Sequence, residues 1–92
     1  MLLNQQQIQQ KLENFQDWNV EGKNLVKTFQ FDDFLKAIDF VNQLVAPAES
    51  AGHHPDISIS YNKVTINLTS HDQGGITEKD FDLAQKINQI FT

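Results

Sequence analysis

Three histidines, His53, His54 and His71, all fall between Glu49 and Asp80 in a chain of 92 residues. The same stretch holds Pro55 and the glycines Gly52, Gly74 and Gly75. Imidazole gives and takes protons near neutral pH. Two imidazoles on either side of a bound molecule can therefore serve as acid and base. Three histidines with a glutamate also raise the question of zinc. Adjacent rings on an extended segment point to opposite sides, and the chain has no helical His-x3-His pair, so no metal site is expected. The chain has no cysteine, which removes a disulfide framework, a thiolate metal site and a cysteine nucleophile.

The elements that must position these rings are legible from periodicity. Asn4 to Asn14 reads as a helix, with Ile8, Leu12 and Phe15 as one stripe and Asn4 answered by Gln7 in a capping box. Trp18–Glu21 and Asn24–Phe31 read as a hairpin turning at Gly22-Lys23-Asn24, with Lys27 on the apolar face and so near an edge. One long helix follows from Asp32 or Asp33, striped by Phe34, Ala37, Ile38, Val41, Leu44, Val45 and Ala48. Pro47 predicts a kink or loosened last turn, and Gly52 a stop.

Ile57–Tyr61 and Val64–His71 alternate as strands about a two-residue turn at Asn62-Lys63. Symmetric pairing about that turn sets Tyr61 against Val64, Pro55 against Ser70 and His54 against His71. Pro55 also constrains how His54 leaves the backbone. Thr77 and Asp80 form a second capping box for a last helix, with Ile76 stapled on Phe81. The order α-β-β-α-β-β-α predicts an α+β fold, a four-stranded antiparallel sheet with helices packed on one face, as a single domain over residues 1–92.

Composition bounds the function. A hydrophobic content of 39% with 21% charged residues is that of a globular chain. The net charge of −5 argues against direct nucleic-acid binding, which needs clustered cations. Neither a signal peptide nor a run of about 18 apolar residues is seen, so a cytoplasmic protein with no membrane association is expected.

The pattern Glu49-x3-His53-His54-Pro55-x5-Tyr61-x9-His71-x8-Asp80 resembles the signature of the pterin-4a-carbinolamine dehydratases. The resemblance extends through Tyr61-Asn-Lys-Val64, Gly75-Ile-Thr-Glu-Lys-Asp80 and Leu83-Ala84, and upstream to Trp18, Phe29, Phe31, Phe34, Ala37, Phe40 and Ala48-Glu49. It departs at Ser50 and Gly52, and at Ile57-Ser58 where an aromatic pair is common. The resemblance implies the same α-β-β-α-β-β-α layout. It also implies removal of water from 4a-hydroxytetrahydropterin to give a quinonoid dihydropterin, recycling a tetrahydropterin cofactor without a metal or redox group.

By that resemblance His53 and His71 transfer protons, with acid and base unassigned between them. His54 holds the pterin, Glu49 and Asp80 match signature positions, Trp18 is an aromatic wall near the ring, and Thr69, Ser70 and Asp72 are polar contacts. Asp80 is equally explained as a helix cap, Glu49 as a solvated helix end and Trp18 as core. The implied partners are a pterin substrate, further copies of the chain in a homodimer or homotetramer, and an aromatic amino-acid hydroxylase in the same pathway. The alternative is a non-catalytic interaction or regulatory module of the same fold. The family includes a vertebrate member that is also a dimerisation cofactor of a homeodomain transcription factor.

Overall fold

A computed structural model describes all 92 residues, Met1–Thr92. The elements are α1 (Gln5–Leu12), β1 (Asn19–Glu21), β2 (Asn24–Gln30), α2 (Phe34–Gln43), α3 (Val45–Ala51), β3 (Asp56–Ser60), β4 (Lys63–Leu68), a 3₁₀ turn (His71–Gln73) and α4 (Glu78–Phe91). The strands form one antiparallel sheet in the order β1-β2-β4-β3. Leu25 and Phe29 of β2 stand opposite Leu68 and Val64 of β4, and these side chains form the inner face. The helices cover that face through Ala37 and Phe40 of α2, Leu44 between α2 and α3, and Phe81, Leu83, Ala84 and Ile87 of α4. This is the α+β layout that the periodicity predicts.

Both capping boxes are present, at Asn4–Gln7 and at Thr77–Asp80. Lys27 sits on the inner face of β2, opposite Ile66. β1 pairs only with residues 24 to 26, so from Lys27 onward the second edge of β2 is open. That opening lets the ammonium lie over the Phe29 ring at 4.4 Å, a cation–π contact, while its stem packs inward.

Three expectations are corrected. The long helix is two helices, separated at Leu44. Pro47 lacks the N–H that would bond the Gln43 carbonyl, and its ring crowds that carbonyl, so the chain breaks one turn before the proline. Leu44 instead closes α2 with a tighter bond to Val41 O, 3.0 Å.

The second correction is the register of the β3–β4 hairpin. Ser60 pairs with Lys63 and Asp56 with Asn67, so the turn is Tyr61-Asn62. This is a slip of two positions, which preserves the faces but not the ends, and His54 does not stand opposite His71. A contact from outside the hairpin fixes the slip. Asn62 Nδ2 donates to Phe31 O at 2.8 Å, and Phe31 N–H donates to Asn62 O at 2.9 Å. With Asn62 held at the tip, Tyr61 takes the left-handed conformation at φ 53.

Third, β4 ends at Leu68, and His71 opens the 3₁₀ turn instead of closing the strand. Ser70 and Gly75 form a bridge that pinches residues 70 to 75 into a closed loop, with Ser70 N–H donating to Gly75 O at 2.9 Å. A strand cannot continue through that closure.

Candidate active site

The segment between α3 and β3 fixes His53 at the backbone before its ring makes any contact. Gly52 is left-handed at φ 61 and ends α3. Its N–H donates to Glu49 O, and the next N–H, that of His53, donates to Ala48 O at 3.1 Å. These two bonds form a Schellman stop, which satisfies the last carbonyls of α3 and aims the following residue.

The His53 ring then crosses to α4. Its Nε2 lies 2.6 Å from Asp80 Oδ1. Asp80 is fully buried, and its second oxygen accepts from Thr77 N–H at 2.8 Å and from the Ser70 hydroxyl at 3.1 Å. Ser70 and Thr77 hydroxyls lie 2.8 Å apart. Asp80 occupies the third position of a 14-residue helix, where the aligned peptide dipoles favour negative charge. No buried side-chain polar atom lacks a partner. The cluster His53–Asp80–Ser70–Thr77 thus joins the end of α3, the start of α4 and the loop after β4.

His54, on the next residue, takes a separate partner, Glu49 Oε2, in the solvent. Both side chains are about two-thirds exposed. Beside them opens a cleft of about 230 Å³ walled by Val41, Leu44, Ala48, Pro55 and Ile57. His71 and Asp72 are exposed on the 3₁₀ turn, directly after Ser70. Asp72, Ser70 and Thr77 edge a second cleft, of about 500 Å³, closed on its far side by Met1–Leu3 and Gln7. The largest cleft, about 560 Å³ along the open edge of β2, contains no histidine. Side-chain chemistry, not cavity size, therefore makes the Asp80 end of α4 the candidate site.

The remaining predicted residues are not gathered there. Trp18 is in the core, 3% exposed, with its indole N–H donating to Asn88 Oδ1 at 2.9 Å. Asn88 lies eight residues beyond Asp80, about 12 Å along the helix axis. Thr69 donates its hydroxyl to Lys23 O at 2.7 Å, which ties the residue after β4 to the β1–β2 turn.

The family described as Pterin 4 alpha carbinolamine dehydratase matches residues 1–90. The chain belongs to that family. A relative from Cyanothece sp. (strain PCC 7425 / ATCC 29141) is 58% identical over 97% of this chain and 92% of its own length. One from Sulfurisphaera tokodaii is 43% identical over 98% and 97%. Both carry the name pterin-4-alpha-carbinolamine dehydratase provisionally. A solved structure from Brucella melitensis, titled a transcriptional coactivator/pterin dehydratase, superposes with a TM-score of 0.95 at 32% identity over the whole of both chains. A pterin dehydratase-like protein, described as a RuBisCO assembly factor in the alpha-carboxysome, gives 0.69 at 27% identity over 82% of this chain and 89% of that one.

Two members of the His53–Asp80 cluster have a different role in the structure from the one that the sequence suggests. Thr77 reads only as a helix cap, yet its hydroxyl also meets Ser70. Ser70 reads as a ligand contact, but it is 2% exposed and its hydroxyl is engaged by Asp80. The signal for Thr77 was present in the spacing of the capping box. Ser70 is marked only by its place beside His71, and nothing local marks it as a partner of Asp80.

Proposed function

We propose that the chain catalyses the dehydration of 4a-hydroxytetrahydropterin to quinonoid dihydropterin, with His53 and His71 as the proton-transfer pair. The observation that carries this reading is the His53–Asp80 contact. A buried carboxylate and a Schellman stop hold one imidazole in a single orientation, on a loop neighbouring that of a second, exposed imidazole. Membership of the family supports the same chemistry.

In the reaction a base takes the proton from ring N5, and an acid gives one to the 4a hydroxyl. The C4a–O bond breaks, an N5=C4a double bond forms and water leaves. Both transfers suit imidazole, whose two protonation states are both accessible near neutral pH. His54 and Glu49 form a solvent-facing donor–acceptor pair beside an apolar cleft, which suits a flat heterocycle with polar edges. Asp72, next to His71 in the chain, lines the separate cleft beside the 3₁₀ turn. In this reading the protein recycles the cofactor of an aromatic amino-acid hydroxylase in the cytoplasm.

The test is spectroscopic. Purified protein should speed loss of water from the carbinolamine above the spontaneous rate, and the double change His53→Ala with His71→Ala should remove that acceleration. Turnover that survives the double change refutes the mechanism.

A second reading, a non-catalytic interaction module, is favoured by the edge strand β3. All five of its residues are exposed, Ile57 and Ile59 among them, and its outer edge is unpaired. Such an edge is a template for association, and homodimers or homotetramers follow naturally from it. The histidine double change separates the readings, because association through β3 should persist when dehydration is lost.

A further inference from the structure

We infer that Ser70 is a positioning residue, which acts through Asp80 to place the ring proton of His53 on Nε2 and leave Nδ1 as its proton-transfer atom. The catalytic consequence rests on the dehydratase reading, but the tautomer does not. The inference follows from counting donors. Asp80 Oδ2 lies against two groups, the Thr77 N–H at 2.8 Å and the Ser70 hydroxyl at 3.1 Å. The first is a donor by its chemistry. The second has one proton to give, and it also lies 2.8 Å from Thr77 Oγ1.

Only one direction of the hydroxyl chain satisfies every group. Thr77 Oγ1 accepts from Lys79 N–H at 3.2 Å, so its own proton is free to go to Ser70 Oγ. Ser70 accepts that proton and donates its own to Asp80. In the opposite direction Ser70 would present a lone pair to a buried carboxylate, and the Thr77 hydroxyl proton would have no acceptor. Such an unmade bond in a buried site is costly. Two donors meet Oδ2 and the N-terminal turn of α4 favours negative charge there, so the Asp80 carboxylate is placed to accept on both oxygens. His53 Nε2, 2.6 Å from Oδ1, must therefore donate. The neutral ring then has its lone pair on Nδ1.

Ser70 reaches this position because the loop is closed. Its N–H donates to Gly75 O at 2.9 Å and its carbonyl accepts from Gly74 N–H at 2.9 Å, which holds the residue at 2% exposure. The same residue directly precedes His71, so one backbone element aligns the hydroxyl for His53 and carries the second imidazole.

The experiment is ¹⁵N NMR of the histidine side chains in the wild-type chain, in Ser70→Ala, in Ser70→Thr and in Asp80→Asn. The wild type should show His53 as the Nε2–H tautomer. Ser70→Ala should mix the two tautomers and lower kcat roughly three- to tenfold with KM within about twofold, since the ring is still present but partly misprotonated. Ser70→Thr, which keeps the hydroxyl, should restore both readouts. Asp80→Asn places an amide that can turn its N–H toward the ring, and should shift His53 toward Nδ1–H. A wild-type His53 in the Nδ1–H form overturns the inference, and so does a Ser70→Ala chain whose tautomer is unchanged. If Ser70→Ala does not fold, Ser70→Cys, whose thiol is a weak donor, should shift the tautomer in the same direction, and an unchanged His53 ring in that chain overturns the inference. An Nε2–H ring in a chain that does not dehydrate the carbinolamine refutes the proposed function and leaves the positioning role standing.

Discussion

The chain contains two histidine–carboxylate pairs, and burial alone should make their energetics differ. In Asp80→Ala the His53 N–H and the Thr77 N–H lose their acceptor, and the Ser70 hydroxyl is left with Thr77 Oγ1 alone. The His53 side chain is 13% exposed and Asp80 is 0% exposed, so water replaces little of what is lost. A lost N-cap interaction costs about 1 kcal/mol. A buried donor left unpaired costs a further 1 to 3 kcal/mol or so. The total, about 2 to 4 kcal/mol, overlaps the roughly 3 to 5 kcal/mol seen when one partner of a buried pair is removed. For a domain of this size each kcal/mol moves the melting temperature by about 4 to 8 °C, so Asp80→Ala should melt roughly 8 to 30 °C lower. Glu49→Ala breaks an equally short contact between side chains that are 67% and 63% exposed. Exposed pairs contribute little, and a loss under about 0.5 kcal/mol is expected, a shift below about 4 °C. Thermal melts followed by circular dichroism, at one pH and one salt concentration, make the comparison. Equal shifts for the two variants, or a shift below about 5 °C for Asp80→Ala, would refute the reasoning. Asp80→Asn keeps an oxygen for the Thr77 N–H and should fall between them.

Tyr61 is exposed and left-handed at φ 53, so Tyr61→Asn should raise stability by about 1 kcal/mol in urea titrations, because asparagine tolerates that conformation. Gly52→Ala meets no atom within 4 Å but inherits φ +61, so the whole cost is conformational, about 1 to 2 kcal/mol by the same titration. Gly75→Ala would place a methyl 2.8 Å from Leu2 Cδ2, the tip of a half-exposed side chain. That tip can move, so a loss of only about 1 kcal/mol or less is expected, and a double-mutant cycle with Leu2→Ala should recover most of it.

Legibility followed sequence distance. The caps at Asn4–Gln7 and Thr77–Asp80 span three residues, and both are in place. The helix stop at Gly52 is equally local. Alternation assigned the inner face of β4 correctly, because Val64, Ile66 and Leu68 are all buried. The hairpin register was not legible, because the group that sets it, Phe31, lies 31 residues before Asn62. Both possible turns keep the same faces, so hydrophobic alternation cannot choose between them. The α2–α3 break was half legible. Pro47 announces a disturbance, but its effect falls on the carbonyl four residues earlier, which moves the boundary to Leu44.

Asp80 shows why the site was harder to read than the fold. Its sequence context offers two explanations, a cap for α4 or a group in the site, and they look like alternatives. A carboxylate has two oxygens, and here they are divided. Oδ2 faces Thr77 N–H and completes the cap, while Oδ1 faces His53, 27 residues away. The cap therefore does not compete with the histidine contact but orients it. Binding at Oδ2 fixes the plane of the carboxylate, and that plane determines where a ring nitrogen can dock on Oδ1. The first turn of α4 is in this way both the start of a helix and the rigid support for His53. Moving the cap should move the imidazole, even though Thr77 never touches it.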